Sequence, residues 1–133
     1  MQITRQADYA VRAVLYLAGL NNGYRASTSQ IAQKQKIPPS FLAKIVSQLS
    51  VAGVVQTSRG ARGGVTLARP SNDITLLEVI EAIDGPITLN ECVPDPNKCP
   101  FGDECPVHKI WREAQIELVE KLALTDFGKL TVQ

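Results

Sequence analysis

Residues 28 to 67 read TSQIAQKQKIPPSFLAKIVSQLSVAGVVQTSRGARGGVTL, and the order of apolar residues and breakers in this stretch decides the fold. Thr28 is suited to cap a short helix whose inward face begins at Ile31. Ile37-Pro38-Pro39 ends that helix, because a proline biases the residue before it away from helical angles. The chain must turn there. Pro39 can open a second helix, since its missing N–H costs nothing in the first turn, and Phe41, Leu42, Ile45, Val46 and Leu49 recur at helical spacing as far as the stop signal Gly53. The other face of this second helix carries Ser40, Lys44, Ser47 and Gln48, whose short polar groups and single cation suit base edges and phosphates in a major groove. Val54 to Thr57 and Val65 to Leu67 are β-rich runs joined by Ser58-Arg59-Gly60-Ala61-Arg62-Gly63-Gly64, which predicts a hairpin with two arginines at its tip. Two helices, a sharp turn and a basic hairpin make a winged helix-turn-helix, in a chain that is mainly α with one small β-hairpin wing. The candidate contacts to double-stranded DNA are Thr28, Ser29 and Gln30 at the start of the first helix, Ser40, Lys44, Ser47 and Gln48 on the second, and Arg59 and Arg62 in the wing.

Before this stretch, Ala7, Ala10, Val11, Val14, Leu15 and Ala18 repeat at three and four, marking an amphipathic helix that ends around Gly19 to Gly23 and gives the next two helices a wall to pack on. Asp8 lies in its first turns, where a carboxylate favours the helix dipole. At 133 residues and 44% hydrophobic, the chain can bury one core with an appended helix. The opening MQITRQADYAVRAV lacks a charged-then-apolar signal pattern, and no apolar run approaches the ~20 residues of a membrane span. A soluble cytoplasmic protein is expected. The net charge of +1 hides a split: residues 1 to 69 hold nine basic side chains against Asp8 alone, giving +8, and the remainder holds five against twelve, giving −7. Two merely solvated surfaces would allow this, but the positive half coincides with the helix-turn-helix pattern, as a DNA-facing half should.

Beyond the wing, Pro70-Ser71-Asn72-Asp73 reads as a linker, and Thr75-Leu76-Leu77-Glu78 as a capping box opening a helix that runs through Ile83 to the stop at Gly85-Pro86. Residues 86 to 105, PITLNECVPDPNKCPFGDEC, show no sustained period, and a loop this long in a compact unit is usually functional or disordered. In the following helix Val107, Ile110, Trp111, Ala114, Leu118 and Leu122 form one apolar stripe and Ile116, Val119 and Ala123 a second. One side can pack on its own domain and the other on a partner, so a homodimer is expected. Thr125-Asp126 can cap a last short turn holding Phe127 and Leu130. The expected organisation is a DNA-binding domain over 1–85, a cysteine loop over 86–105, and a dimerisation helix with its tail over 106–133.

Cys92, Cys99 and Cys105 are spaced C-x6-C-x5-C, and the only histidine, His108, follows three residues after the last. An odd number of cysteines argues against a disulfide framework, and the Pro, Asp, Asn, Lys and Gly around them are not a core in which a free thiol would hide. Pro106 suggests that Cys105 is a helix N-cap, where the dipole favours a thiolate, with His108 one turn along on the same side. Zinc sites usually use cysteine pairs two to four residues apart, and both intervals here are wider. An iron-sulfur cluster, [2Fe–2S] or [4Fe–4S], held by thiolates with a histidine such as His108 able to replace one, suits the ligand types and spacing better. Zinc and unliganded redox thiols stand as alternatives. A thiol or metal enzyme would want a C-x2-C pair or a second histidine, and neither is present, so no catalysis is expected.

These residues together resemble the small bacterial winged-helix regulators typified by IscR and NsrR, of the Rrf family. The resemblance is carried by DYAVRAVLYLA at 8 to 18, SFLAKIVSQLSVAGVV, the wing RGARGG, LLEVIEAIDG, the three-cysteine loop and the helix after HKIW, and it covers nearly the whole chain. It implies a homodimer crossed through the long C-terminal helices, bound to a partly palindromic operator. It also implies a transcription regulator, in the simplest case a repressor, whose cluster senses iron-sulfur status, oxidants or nitric oxide. Ser40 and Lys44 then lie on the DNA-reading helix, Arg59 and Arg62 in the wing, and Cys92, Cys99 and Cys105 on the ligand positions. C-x2-H at Cys105 and His108 is similar to IscR, whereas Asp8 is similar to the NsrR arrangement, in which a carboxylate reaches from the partner subunit. Two positions depart from the pattern: the first cysteine interval is six instead of five, and Ala43 stands where IscR has an acidic residue that helps choose between operator types.

Overall fold

The computed structural model describes residues 2–20, 25–61, 63–90, 93–98, 100–101 and 104–131. Helix α1 (Arg5–Ala18) is capped by Thr4, whose hydroxyl accepts from the Ala7 N–H at 3.1 Å. Its buried residues are Ala7, Tyr9, Ala10, Ala13, Val14 and Leu17, whereas Val11, Leu15 and Ala18 are only half-buried. The inward face is therefore turned from the expected one, because α1 is packed by the helices on several sides of it and not by a single wall.

Helix α2 (Thr28–Gln35) corrects the expected cap. Ser27 is the N-cap: its hydroxyl accepts from the Gln30 N–H at 3.1 Å, and the Gln30 side chain accepts from the Ser27 N–H at 3.2 Å. This reciprocal pair needs an amide or carboxylate three residues on, which Gln30 supplies to Ser27 and Ile31 cannot supply to Thr28. Lys36 ends the helix in the left-handed region, with φ 55°. Helix α3 (Pro39–Val51) starts on its proline as expected and buries Leu42, Ile45, Val46 and Leu49. Gly53, at φ 78°, turns the chain into strand β1 (Val55–Ser58), which pairs antiparallel with β2 (Gly64–Leu67) in the register Val55 to Leu67 and Ser58 to Gly64. Ala26 exchanges two backbone hydrogen bonds with Val65, so the segment before α2 clips onto the return strand. Gly64 cannot be replaced there: its φ is 155°, and a Cβ would lie 2.9 Å from the Ala26 carbonyl oxygen.

Residues 71–73, expected as linker, form a 3-10 turn, and helix α4 (Leu76–Asp84) follows. Only half of its expected capping box exists: the Thr75 hydroxyl accepts from the Glu78 N–H at 3.1 Å, but the Glu78 carboxylate pairs with Arg69 instead of returning to Thr75. A guanidinium already placed by the wing outcompetes a backbone N–H for a carboxylate. Helix α5 (Pro106–Ala123) leads through the expected Asp126 cap, which accepts from the Lys129 N–H at 2.8 Å, into helix α6 (Phe127–Thr131). Phe127 is fully buried in the main core with α1, α2, α3, the wing base and α4. A smaller cluster of Ala7, Ile80 and Ile87 receives Leu118, Val119 and Leu122 of α5. The two stripes expected on α5 are thus not kept apart as drawn: Leu118, Val119 and Leu122 of its C-terminal half pack at home, while Val107, Ile110 and Trp111 near its start, and Ile116, stay exposed. Among the described residues no helix is long and apolar enough to cross a membrane.

Candidate nucleic-acid interface and cysteine loop

With Leu42, Ile45 and Leu49 each about 1% exposed, α3 is fixed in rotation, and its opposite side must face outward. Ser40, Ala43, Lys44 and Ser47 are exposed, and Gln48 is half-buried. Lys44 and Gln48 border a groove between α3 and the ends of α1 and α4, lined also by Thr4, Phe41 and Asp84. Gln48 is therefore less available to a ligand than Ser40, Lys44 or Ser47. Thr28, Ser29 and Gln30 are exposed at the N-terminus of α2, the positive end of its dipole, where a phosphate would be favoured, although Gln30 is engaged in the cap. The wing is exposed from Gln56 to Ala61, including Arg59, and Gly60 takes φ 99° at its tip. Arg62 lies outside the described residues.

Two arginines that periodicity did not single out hold this surface together. Arg12 donates to the Gln35 carbonyl, the last of α2, at 3.2 Å, lies 5.0 Å over the Tyr9 ring, and pairs with Asp8 at 3.4 Å. Only the four-residue spacing of Asp8 and Arg12 was a signal in the sequence. Arg69 sits at the root of the wing and binds three other elements; no local pattern marks it, because its partners come from separate parts of the chain.

Of the candidate cluster ligands, Cys92 and Cys99 lie outside the described residues. Cys105 is the half-buried N-cap of α5, as its Pro106 predicted, beside a shallow concavity lined by Pro100, Phe101 and Glu104. His108 is 4% exposed, and among the described residues its Nδ1 has no hydrogen-bond partner, while Nε2 lies 3.4 Å from an Arg112 guanidinium nitrogen. A buried ring nitrogen without a partner costs free energy unless something else binds it. Asp8, by contrast, is exposed on α1 and paired with Arg12. Among the described residues no group of three metal-ligating side chains stands together; Cys105 and His108 lie on the first turn of α5, and Asp8 lies on α1.

The family model for Rrf2, iron-dependent transcriptional regulators, matches residues 3–133. Protein aau3 of Rhizobium meliloti is 37% identical over all of this chain and 88% of its own length. The fold is similar to that of CymR, the global cysteine regulator of B. subtilis, with TM-score 0.82 and 27% identity over 98% of this chain and 96% of that one. It is also similar to T. potens IscR, with TM-score 0.78 and 22% identity over 98% and 85%. The mostly helical chain with one two-stranded wing and an outward polar helix therefore has its place: it belongs to the Rrf2 family, which is made of transcriptional regulators and not enzymes.

Proposed function

We propose that the chain acts in the cytoplasm as a homodimeric regulator that binds a partly palindromic operator, most simply as a repressor, with its DNA affinity set by an iron-sulfur cluster. The carrying observation is the outward row Ser40, Lys44 and Ser47 beside the exposed Arg59 wing, on the half of the chain that holds +8. In this reading α3 lies in the major groove, Arg59 and Arg62 approach a minor groove, and the N-terminus of α2 meets a phosphate. Residues 1–85 are the DNA-binding unit, 86–105 the sensing loop and 106–133 the dimerisation region, with Phe127 returning to anchor that region in the first. Val107, Ile110 and Trp111, exposed on α5, supply the apolar surface that a second copy would cover.

The donor set suits a cluster: three thiols, Cys92, Cys99 and Cys105, with Nδ1 of His108, which has no partner among the described residues, as fourth ligand, supported by its burial one turn from Cys105. Such a cluster supplies electron transfer and reactivity toward oxidants or nitric oxide. The chain's own part is to hold the Cys105 sulfur at the start of α5 and to link the loop to α4, which packs on α1 and α3. A second reading is that the thiols act without a cluster or hold zinc, and its cluster-free form is favoured by the similarity to CymR, a cysteine regulator. Anaerobic purification with absorbance, iron, sulfide and zinc analysis separates the two. Iron and sulfide with a visible spectrum lost on His108→Ala are expected; colourless protein that binds its operator unchanged would establish the second reading. Operator affinity, followed by anisotropy, is expected to fall steeply with salt, and a flat dependence would remove the DNA assignment.

A further inference from the structure

Arg69 follows the return strand of the wing and donates to acceptors on three different elements. Its Nε reaches the Gly53 carbonyl at 3.4 Å, in the turn that ends α3, and Nη1 reaches the Asp73 carbonyl at 3.0 Å, at the end of the 3-10 turn. Its Nη2 forms a hydrogen-bonded ion pair with Glu78 in the first turn of α4. Just beside it, the Ala68 N–H donates to the Val54 carbonyl at 2.9 Å and closes the root of the hairpin. One planar fork thus fixes the end of α3, the root of the wing and the start of α4 relative to one another. A lysine could satisfy one of the three acceptors and not all of them. The strands beyond this root are four residues long, so a rotation of roughly 10° at the root moves the wing tip by roughly 2 Å. That is enough to break a hydrogen bond between an arginine and DNA.

We propose that Arg69, held by Glu78, is a positioning residue for operator binding: it sets the wing at its working distance from α3 without itself touching DNA. This rests on the reading of α3 and the wing as the DNA-contacting surface. The sign of one substitution makes the inference testable. Glu78 is an acid in a DNA-binding protein, so deleting its charge should tighten DNA binding by simple electrostatics. If it acts by holding Arg69, deleting it should weaken binding.

The full-length protein is titrated by anisotropy against a duplex that the parent itself selects from a random pool, and against an unselected duplex of equal length. Glu78→Ala and Arg69→Lys are each expected to weaken the selected duplex about tenfold, while Glu78→Gln, which keeps the acceptor, stays within about threefold. Affinity for the unselected duplex should fall less than that for the selected one. Arg59→Ala should cost less in the Glu78→Ala background than in the parent, because a displaced wing has less to lose. Glu78→Ala binding the selected duplex as tightly as the parent, or tighter, overturns the proposal. Should Glu78→Ala melt below the assay temperature, Arg69→Lys decides: it keeps the charge, and parental affinity in it overturns the proposal equally. Arg59→Ala and Lys44→Ala report on the underlying reading. If they weaken binding and Glu78→Ala does not, positioning alone is wrong; if they too are silent, the surface assignment falls and this inference with it.

Discussion

The recognition half and the cysteine loop are built by opposite means. From Thr28 to Leu67 the chain buries Ile31, Ile37, Leu42, Ile45, Leu49, Val54, Val55 and Val65, so its backbone is held by its own side chains. Among the described residues from 86 to 105 only Ile87 is buried, and the Leu89 N–H donates to the Gln115 side chain at 2.9 Å. So little burial suits the sensing role proposed for this loop, since a segment with few apolar contacts can take its shape from a bound group, whereas a DNA-reading element must be rigid before it meets its target.

The largest expected effect tests this contrast with one chemistry at two places. Phe127→Ala, in the core, should cost about 3–5 kcal/mol in urea unfolding, while Phe101→Ala, 72% exposed in the loop, should change stability by less than about 0.5 kcal/mol. Equal losses would mean that the loop has a packed core of its own. Next, Ile110→Glu should weaken a dimer by about 2 kcal/mol or more in sedimentation while the fold keeps its melting temperature. Leu118→Glu should instead lower the melting temperature, since Leu118 packs against the Ala7, Ile80 and Ile87 cluster of its own chain. Arg59→Ala should lose about 1–2 kcal/mol of operator affinity and lower the salt slope by about one, with no change in unfolding. Ser27→Ala should cost about 1 kcal/mol of stability, and Thr28→Ala close to nothing, because only Ser27 closes the capping box. The smallest expected effect is that of Asp8→Asn: an exposed pair with Arg12 is worth less than about 0.5 kcal/mol, so the stability should hold. Loss of the visible spectrum in that variant would make Asp8, and not His108, the fourth ligand.

Much of the recognition half was legible because its signals are local. The proline pair at 38 and 39, the period of Leu42, Ile45 and Leu49, and the glycine-rich turn between two β-branched runs each act within a few residues, and α3 and the hairpin lie where these place them. The cap of α2 was misplaced by one residue because Ser27 and Thr28 are both good caps, and the reciprocal bond of Gln30 decides between them. The spacing of Cys105, Pro106 and His108 likewise gave the N-cap and the helix start. It could not give the burial of His108, which depends on what packs over the helix.

By itself, then, the sequence determined the helices, their breaks, the wing and the charge division, since backbone angles and face periodicity are set by neighbouring residues. Tertiary structure decided which half of α5 packs at home, that Phe127 returns across the chain to the main core, that Ala26 clips onto Val65, and that the carboxylate of Glu78 goes to Arg69. Each of these is a choice between partners far apart in sequence. It is settled by which surfaces bury the most apolar area and which donor already stands beside an acceptor once they do.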